Sequence, residues 1–138
     1  MEKICKTEPF KALMLTAKNI QDQIRVEISE YNLNITEFSV LETLYLKGRQ
    51  TIHQIGKSIL ISSGSMTYVI DKLEKKELLQ RTECPNDRRA IFIVLTAKGE
   101  EFMAQTMPQY QDFIAEMFSE LSHEEGQTLI GLLNKVKT

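Results

Sequence analysis

Residues 51–99 read TIHQIGKSILISSGSMTYVIDKLEKKELLQRTECPNDRRAIFIVLTAKG, and the architecture turns on them. The first part holds two short helical patterns separated by a polar, glycine-containing break, Ser62-Ser63-Gly64-Ser65. In the second pattern Met66, Val69, Ile70 and Leu73 recur at helical spacing and mark a buried face. The other side carries Ser65, Thr67, Tyr68, Asp71, Lys72, Lys75 and Lys76. A helix that opens on small hydroxyl residues brings its N-terminal backbone close to DNA. Short side chains then reach base edges, and free N–H groups meet phosphate. The three lysines further along are placed to contact phosphates. Taken alone, the same pattern describes an ordinary amphipathic helix with a serine N-cap and solvated lysines.

The second part tips the balance. Residues 78–82 and 90–95 are strand-like, the latter rich in β-branched and aromatic side chains. Between them Pro85, Asn86 and Asp87 favour a turn, and Arg88 and Arg89 follow. A wing tip carrying arginine suits the narrow, negative minor groove of A·T-rich DNA. Asp87, two positions before Arg89, is spaced to orient its guanidinium by a bidentate pair. The competing reading is a surface hairpin whose charges only keep it soluble.

With these features in place, the chain resembles the MarR family of winged-helix transcription regulators. The resemblance rests on Ser63-Gly64-Ser65-Met66-Thr67, Asp71-Lys72-Leu73-Glu74, Asp87-Arg88-Arg89 and Leu95-Thr96-Ala97-Lys98-Gly99, in that order and spacing. It implies a mainly α fold with a small β-hairpin wing (α+β), a winged helix-turn-helix whose long flanking helices form a dimerisation bundle. It also implies a homodimer on a pseudo-palindromic double-stranded operator, usually a repressor released by a small molecule or an oxidant. On that reading residues 1–138 are one domain. Residues 36–95 form the DNA-binding lobe, and residues 8–31 and 97–138 supply the dimerisation helices. The DNA-contacting set is Ser62, Ser63, Ser65, Thr67, Tyr68, Lys72, Asp87, Arg88 and Arg89, with Asp87 holding Arg89.

Composition fits a soluble domain. At 138 residues and 42% hydrophobic, the chain has the apolar content for a core. No run approaches about 18 uninterrupted apolar residues, and the N-terminus MEKICKTEPF lacks an apolar signal region. A cytoplasmic protein with no membrane partner is expected. The net charge of −2 looks wrong for a DNA binder until it is mapped. Residues 57–98 carry eight Lys/Arg against five Asp/Glu, and the remainder nine against fourteen. Basic charge therefore gathers on the reading unit.

The flanking helices read as follows. Phe10, Leu13, Met14, Ala17, Ile20, Ile24 and Ile28 form a helical stripe over residues 8–31, and Asn32 and Asn34 lie in the break after it. Thr36 is the expected N-cap of the next helix, with Lys47-Gly48 as its stop, and Thr51 caps the third. Thr96 caps a long helix to about residue 119, within which Pro108 should introduce a kink. Ser122 and Glu125 form a capping box for a last helix carrying Leu129, Ile130, Leu132, Leu133 and Val136. Helices this apolar are hard to bury within one lobe, which argues for a second subunit.

Met and aromatic side chains adapt to irregular ligands, and in the resembled family the effector cleft lies between bundle and reader. Phe10, Met14, Phe38, Tyr45 and Met107 are the candidate lining for a small phenolic, quinone-like or other lipophilic effector, although each also reads as plain core. Cys5, flanked by Lys3 and Lys6, is a candidate redox sensor. Cys84 is the weaker one. Two cysteines in a cytoplasmic chain predict no structural disulfide. His53 and His123 fall in different helices without ligand spacing, so no metal site is expected. No cofactor is expected either.

Enzymatic readings find little support. Gly56-Lys57-Ser58 resembles the end of a phosphate-binding loop, but Thr51 stands where that motif needs glycine. No G-x-S-x-G, H-E-x-x-H or dinucleotide glycine motif is present. The remaining alternative is a winged-helix adaptor that binds proteins without specific DNA binding, for which adjacent wing arginines serve no purpose.

Overall fold

The computed structural model describes residues 2–59, 65–84 and 86–138, with side chains described except at residues 2–6, 88 and 89. The chain divides into two compact units, Met1–Glu100 and Glu101–Thr138. The first begins with α1 (Glu2–Ser29), which starts earlier than residue 8 and runs through Pro9. It stops where Tyr31 and Asn32 N–H groups turn back to the Ile28 and Ser29 carbonyls. Asn32 then takes φ of 60°, a left-handed conformation that asparagine tolerates better than most residues. Only the lower part of the α1 stripe is covered in the single chain: Ile24 and Ile28 are buried, whereas Phe10, Leu13 and Met14 are exposed.

The N-cap of α2 (Ile35–Lys47) is Asn34, not Thr36. The Asn34 side chain accepts from the Glu37 N–H at 2.8 Å, and the Glu37 carboxylate accepts from the Asn34 N–H at 3.0 Å. Asn-x-x-Glu satisfies two orphan helix-terminal donors at once, and Thr36 falls inside the first turn, buried. Lys76 completes this corner. Its ammonium donates to Glu37 Oε2 at 3.2 Å and to the Asn32 carbonyl at 2.9 Å. Gly48, at φ of 78°, ends α2 as expected.

Next come β1 (Gln50–Thr51), α3 (Ile52–Ser58) and α4 (Met66–Lys75). Thr51 caps α3 as expected, reciprocally with Gln54. The wing is β2 (Leu79–Cys84) and β3 (Asp87–Leu95), and the sheet order is β1-β3-β2, all antiparallel. The two-residue β1 pairs Gln50 with Ile93 and Thr51 with Phe92. It is too short to show any alternation. Val40, Leu41 and Leu44 of α2, Ile55 of α3, Ile70 and Leu73 of α4, Leu79 of β2 and Ile93 of β3 make the core, all at 2% exposure or less.

Thr96 joins the wing to α5 (Ala97–Met117). Its hydroxyl donates to the Glu77 carbonyl at 2.6 Å and accepts from the Gly99 N–H at 3.0 Å, a cap as expected. Helix α5 continues through Pro108 without interruption in the second unit. Ser122 and Glu125 form the expected capping box for α6 (His123–Asn134). No residue of α6 is buried. Among the described residues no helix is long and apolar enough to cross a membrane.

Candidate nucleic-acid interface

Helix α4 is fixed by its inner face. Val69, Ile70 and Leu73 are buried, which turns Thr67, Tyr68, Asp71 and Lys75 outward. Tyr68 is 64% exposed, and the Lys72 ammonium stands 5.7 Å from its ring centroid, a cation–π pair on the outer surface. Ser65 occupies the N-cap position, yet its hydroxyl makes no cap hydrogen bond. That hydroxyl is exposed and not engaged in ending its own helix. Ser62 and Ser63 lie outside the described residues.

The wing differs from the expected short strands and five-residue tip. Strand pairing extends from Leu79↔Leu95 to Glu83↔Ile91, then shifts so that Cys84 pairs with Asp87. Asp87 is therefore the first residue of β3, not part of a loop. The shift puts residues 88–90 out of regular register with β2, a bulge-type irregularity. Such irregularities bend a ribbon and re-aim its side chains. The backbone of Arg88 and Arg89 belongs to this stretch, next to the turn. Their side chains lie outside the description, so the Asp87–Arg89 pairing is carried by the sequence pattern alone.

The structure changes the standing of other cations. Lys76, expected among the phosphate contacts, is tied to Glu37 and Asn32, so it holds the fold together. Lys72 and Lys75 remain on the outer side of α4. Two arginines were overlooked in the sequence. Arg49 lies over the Phe92 ring at 4.7 Å, supporting the wing from the turn after α2. Arg81 of β2 grips two acids of α4, with Nη2 on Asp71 Oδ1 and Nη1 on Glu74 Oε1, each at 2.6 Å. The available signal for Arg81 was two carboxylates three residues apart on an otherwise basic helix.

The candidate effector residues differ in exposure. Phe10 and Met14 are exposed on α1, Tyr45 is half-buried on α2, and Phe38 and Met107 are buried. Phe38, at 1% exposure, is a core residue, and a ligand would have to displace it to reach the space it fills. Cys5 lies in α1, its side chain outside the described residues, and Cys84 is a half-buried free thiol at the end of β2. No cluster of three or more His, Cys, Asp or Glu able to hold a metal occurs among the described residues.

Comparison with known proteins agrees with this geometry. A model of the MarR family matches residues 33–91. The HTH-type transcriptional regulator MhqR of Bacillus subtilis is 45% identical over 127 residues, spanning 92% of this chain and 88% of that protein. A mutant MarR from Escherichia coli, solved in complex with operator DNA, superposes with a TM-score of 0.79 at 25% identity, covering 96% of each chain. Bordetella bronchiseptica BpsR, described with the regulation of its DNA binding by 6-hydroxynicotinic acid, gives 0.78 at 25% identity, covering 94% of this chain and 93% of that one.

Proposed function

The chain belongs to the MarR family of DNA-binding transcriptional regulators, and on that premise we propose that it works as a homodimeric repressor released by a small effector. It is a regulator and not an enzyme, as its relatives are. The reading is carried by one observation: the outer face of α4 presents Ser65, Thr67, Tyr68 and Lys72 beside a wing whose bulged strand bears Arg88 and Arg89. In this proposal α4 enters the major groove, with Thr67, Tyr68 and the serines before them near bases or phosphates. Arg88 and Arg89 enter or flank the minor groove, and Asp87 orients Arg89. Two half-sites about one DNA turn apart then double the contacts of a small reader.

Release follows from geometry. Groove spacing is fixed, so an effector that alters the separation of the two α4 helices weakens binding. A coupling of about 1–3 kcal/mol suffices for a useful switch. A planar phenolic or quinone-like compound is the proposed class, with oxidation of Cys5 as the other route. Support comes from BpsR, whose DNA binding is described as regulated by 6-hydroxynicotinic acid.

The test is a fluorescence-anisotropy titration at physiological salt with DNA from upstream of the chain's own gene, against scrambled DNA of equal length. Saturable binding by two protomers is expected. Arg89→Ala should weaken it by about tenfold, within the 1–3 kcal/mol of a groove-reading arginine, whereas Lys135→Ala should change it less than twofold. Equal losses from both would remove the wing from the interface. The same assay then screens phenols, quinones and peroxide for release.

A further inference from the structure

Asp71 and Glu74 are out of place on a helix proposed to face DNA, because carboxylates oppose phosphates. Arg81 answers both. Besides the two guanidinium contacts at 2.6 Å, the Arg81 backbone N–H donates to Glu74 Oε2 at 3.2 Å. Arg81 is paired in register with Ile93, which is fully buried at the base of the wing. Its guanidinium is thus rooted in the sheet at one end and held by two points of α4 at the other.

The topology makes such a tie necessary. With the order β1-β3-β2, strand β2 is an outer edge, and β1 supports only β3, at Phe92 and Ile93. Toward the tip the wing is a two-stranded ribbon, which is weakly determined by itself. A planar guanidinium held at two points fixes both distance and rotation, whereas a lysine ammonium acts as a point charge. We propose that Arg81 is a positioning residue, a clamp that holds the wing at one angle to α4 so that major-groove and minor-groove contacts form together. The inference rests on the reading that the wing touches DNA.

The probe is a duplex selected from a random pool by the wild-type protein, with affinity read by anisotropy. Arg81→Gln should lower affinity about tenfold, within the range for a groove-reading arginine whose placement is lost. Arg81→Lys should rescue little of this. In an Arg88→Ala, Arg89→Ala background the same Arg81→Gln change should cost less than twofold, because the contacts that the clamp positions are already missing. A loss of the same size in both backgrounds would overturn the clamp, since a general structural role is indifferent to the two wing arginines. Recovery of wild-type affinity in the triple variant Asp71→Asn, Glu74→Gln, Arg81→Gln would also overturn it, showing that Arg81 only masks two negative charges. Should Arg81→Gln not fold, Asp71→Asn removes one arm without changing shape, and the same comparison across the two backgrounds decides. If the Arg88→Ala, Arg89→Ala variant binds like wild type, the wing reading itself has failed and the clamp falls with it.

Discussion

At the scale of single residues, Gly99 shows how a motif position acquires a physical reason. A Cβ built there would overlap the Leu78 carbonyl oxygen and lie 3.3 Å from a Leu95 methyl. The Leu78 carbonyl also accepts the Thr96 N–H at 3.1 Å, so it is not free to move aside. Gly99→Ala should therefore destabilise the first unit by about 1–3 kcal/mol, the cost of overpacking against fixed backbone. Urea denaturation measures it, and an unchanged midpoint would mean that the junction of wing and α5 yields easily. Lys76 and Arg81 mark the limit of reading at this scale. Lys75 and Lys76 look alike in the sequence, yet only the fold reveals that Lys76 meets Glu37, 39 residues earlier. Arg81 likewise finds its partners across a turn, on a different element.

At the scale of elements, patterns with a local cause were legible and patterns with a distant cause were not. The α4 face, the caps at Thr51, Thr96 and Ser122, and the stop at Gly48 all depend on neighbours within a few residues. Thr36 lies closer to the apolar residues of α2, but Asn34 is the stronger capping residue and has Glu37 at capping-box spacing. Strand β1 was missed because two residues carry no period, and the wing proved longer because β3 is recruited by pairing. Asn34→Ala should cost about 1–2 kcal/mol, lowering the thermal midpoint by roughly 2–8 °C. A smaller shift than that produced by Thr51→Ala would demote the α2 corner.

The last helix offers a pH test of the same device. The Glu125 carboxylate accepts the Ser122 N–H at 2.9 Å, and this hydrogen bond holds its pKa below the ordinary value. A lowered folded pKa means that the cap is fully formed above the unfolded-state value. It is lost as pH falls through the folded one. Amide exchange in the first turn of α6, corrected for intrinsic rates, should accelerate as pH falls below the ordinary glutamate range. In Glu125→Gln that acceleration should disappear. A wild-type profile as flat as that of Glu125→Gln would show that the charge on Glu125 contributes nothing to the cap.

At the scale of the whole molecule, the strongest argument for a second subunit is what one chain leaves uncovered. Leu129, Ile130, Leu132, Leu133 and Val136 of the C-terminal segment are 38–56% exposed, and α6 buries nothing. On α1, Phe10, Met14 and Leu15 are exposed by 53–63%. Scattered exposed apolar residues are ordinary, whereas contiguous apolar helix faces mark an interaction surface. Leu129 and Leu133 are four residues apart and share one face of α6. Changing both to Glu alters no fully buried residue but puts two charges on the proposed interface. The variant should keep its helical circular dichroism yet sediment as a monomer at micromolar concentration. Its operator affinity should then fall by at least a hundredfold, since one reader holds one half-site and the second half-site supplies the remainder. A variant that sediments as a dimer would move the interface elsewhere. A monomer that binds the full operator as tightly as the wild type would break the link between dimerisation and specificity, because α4 and its wing would then read the site alone.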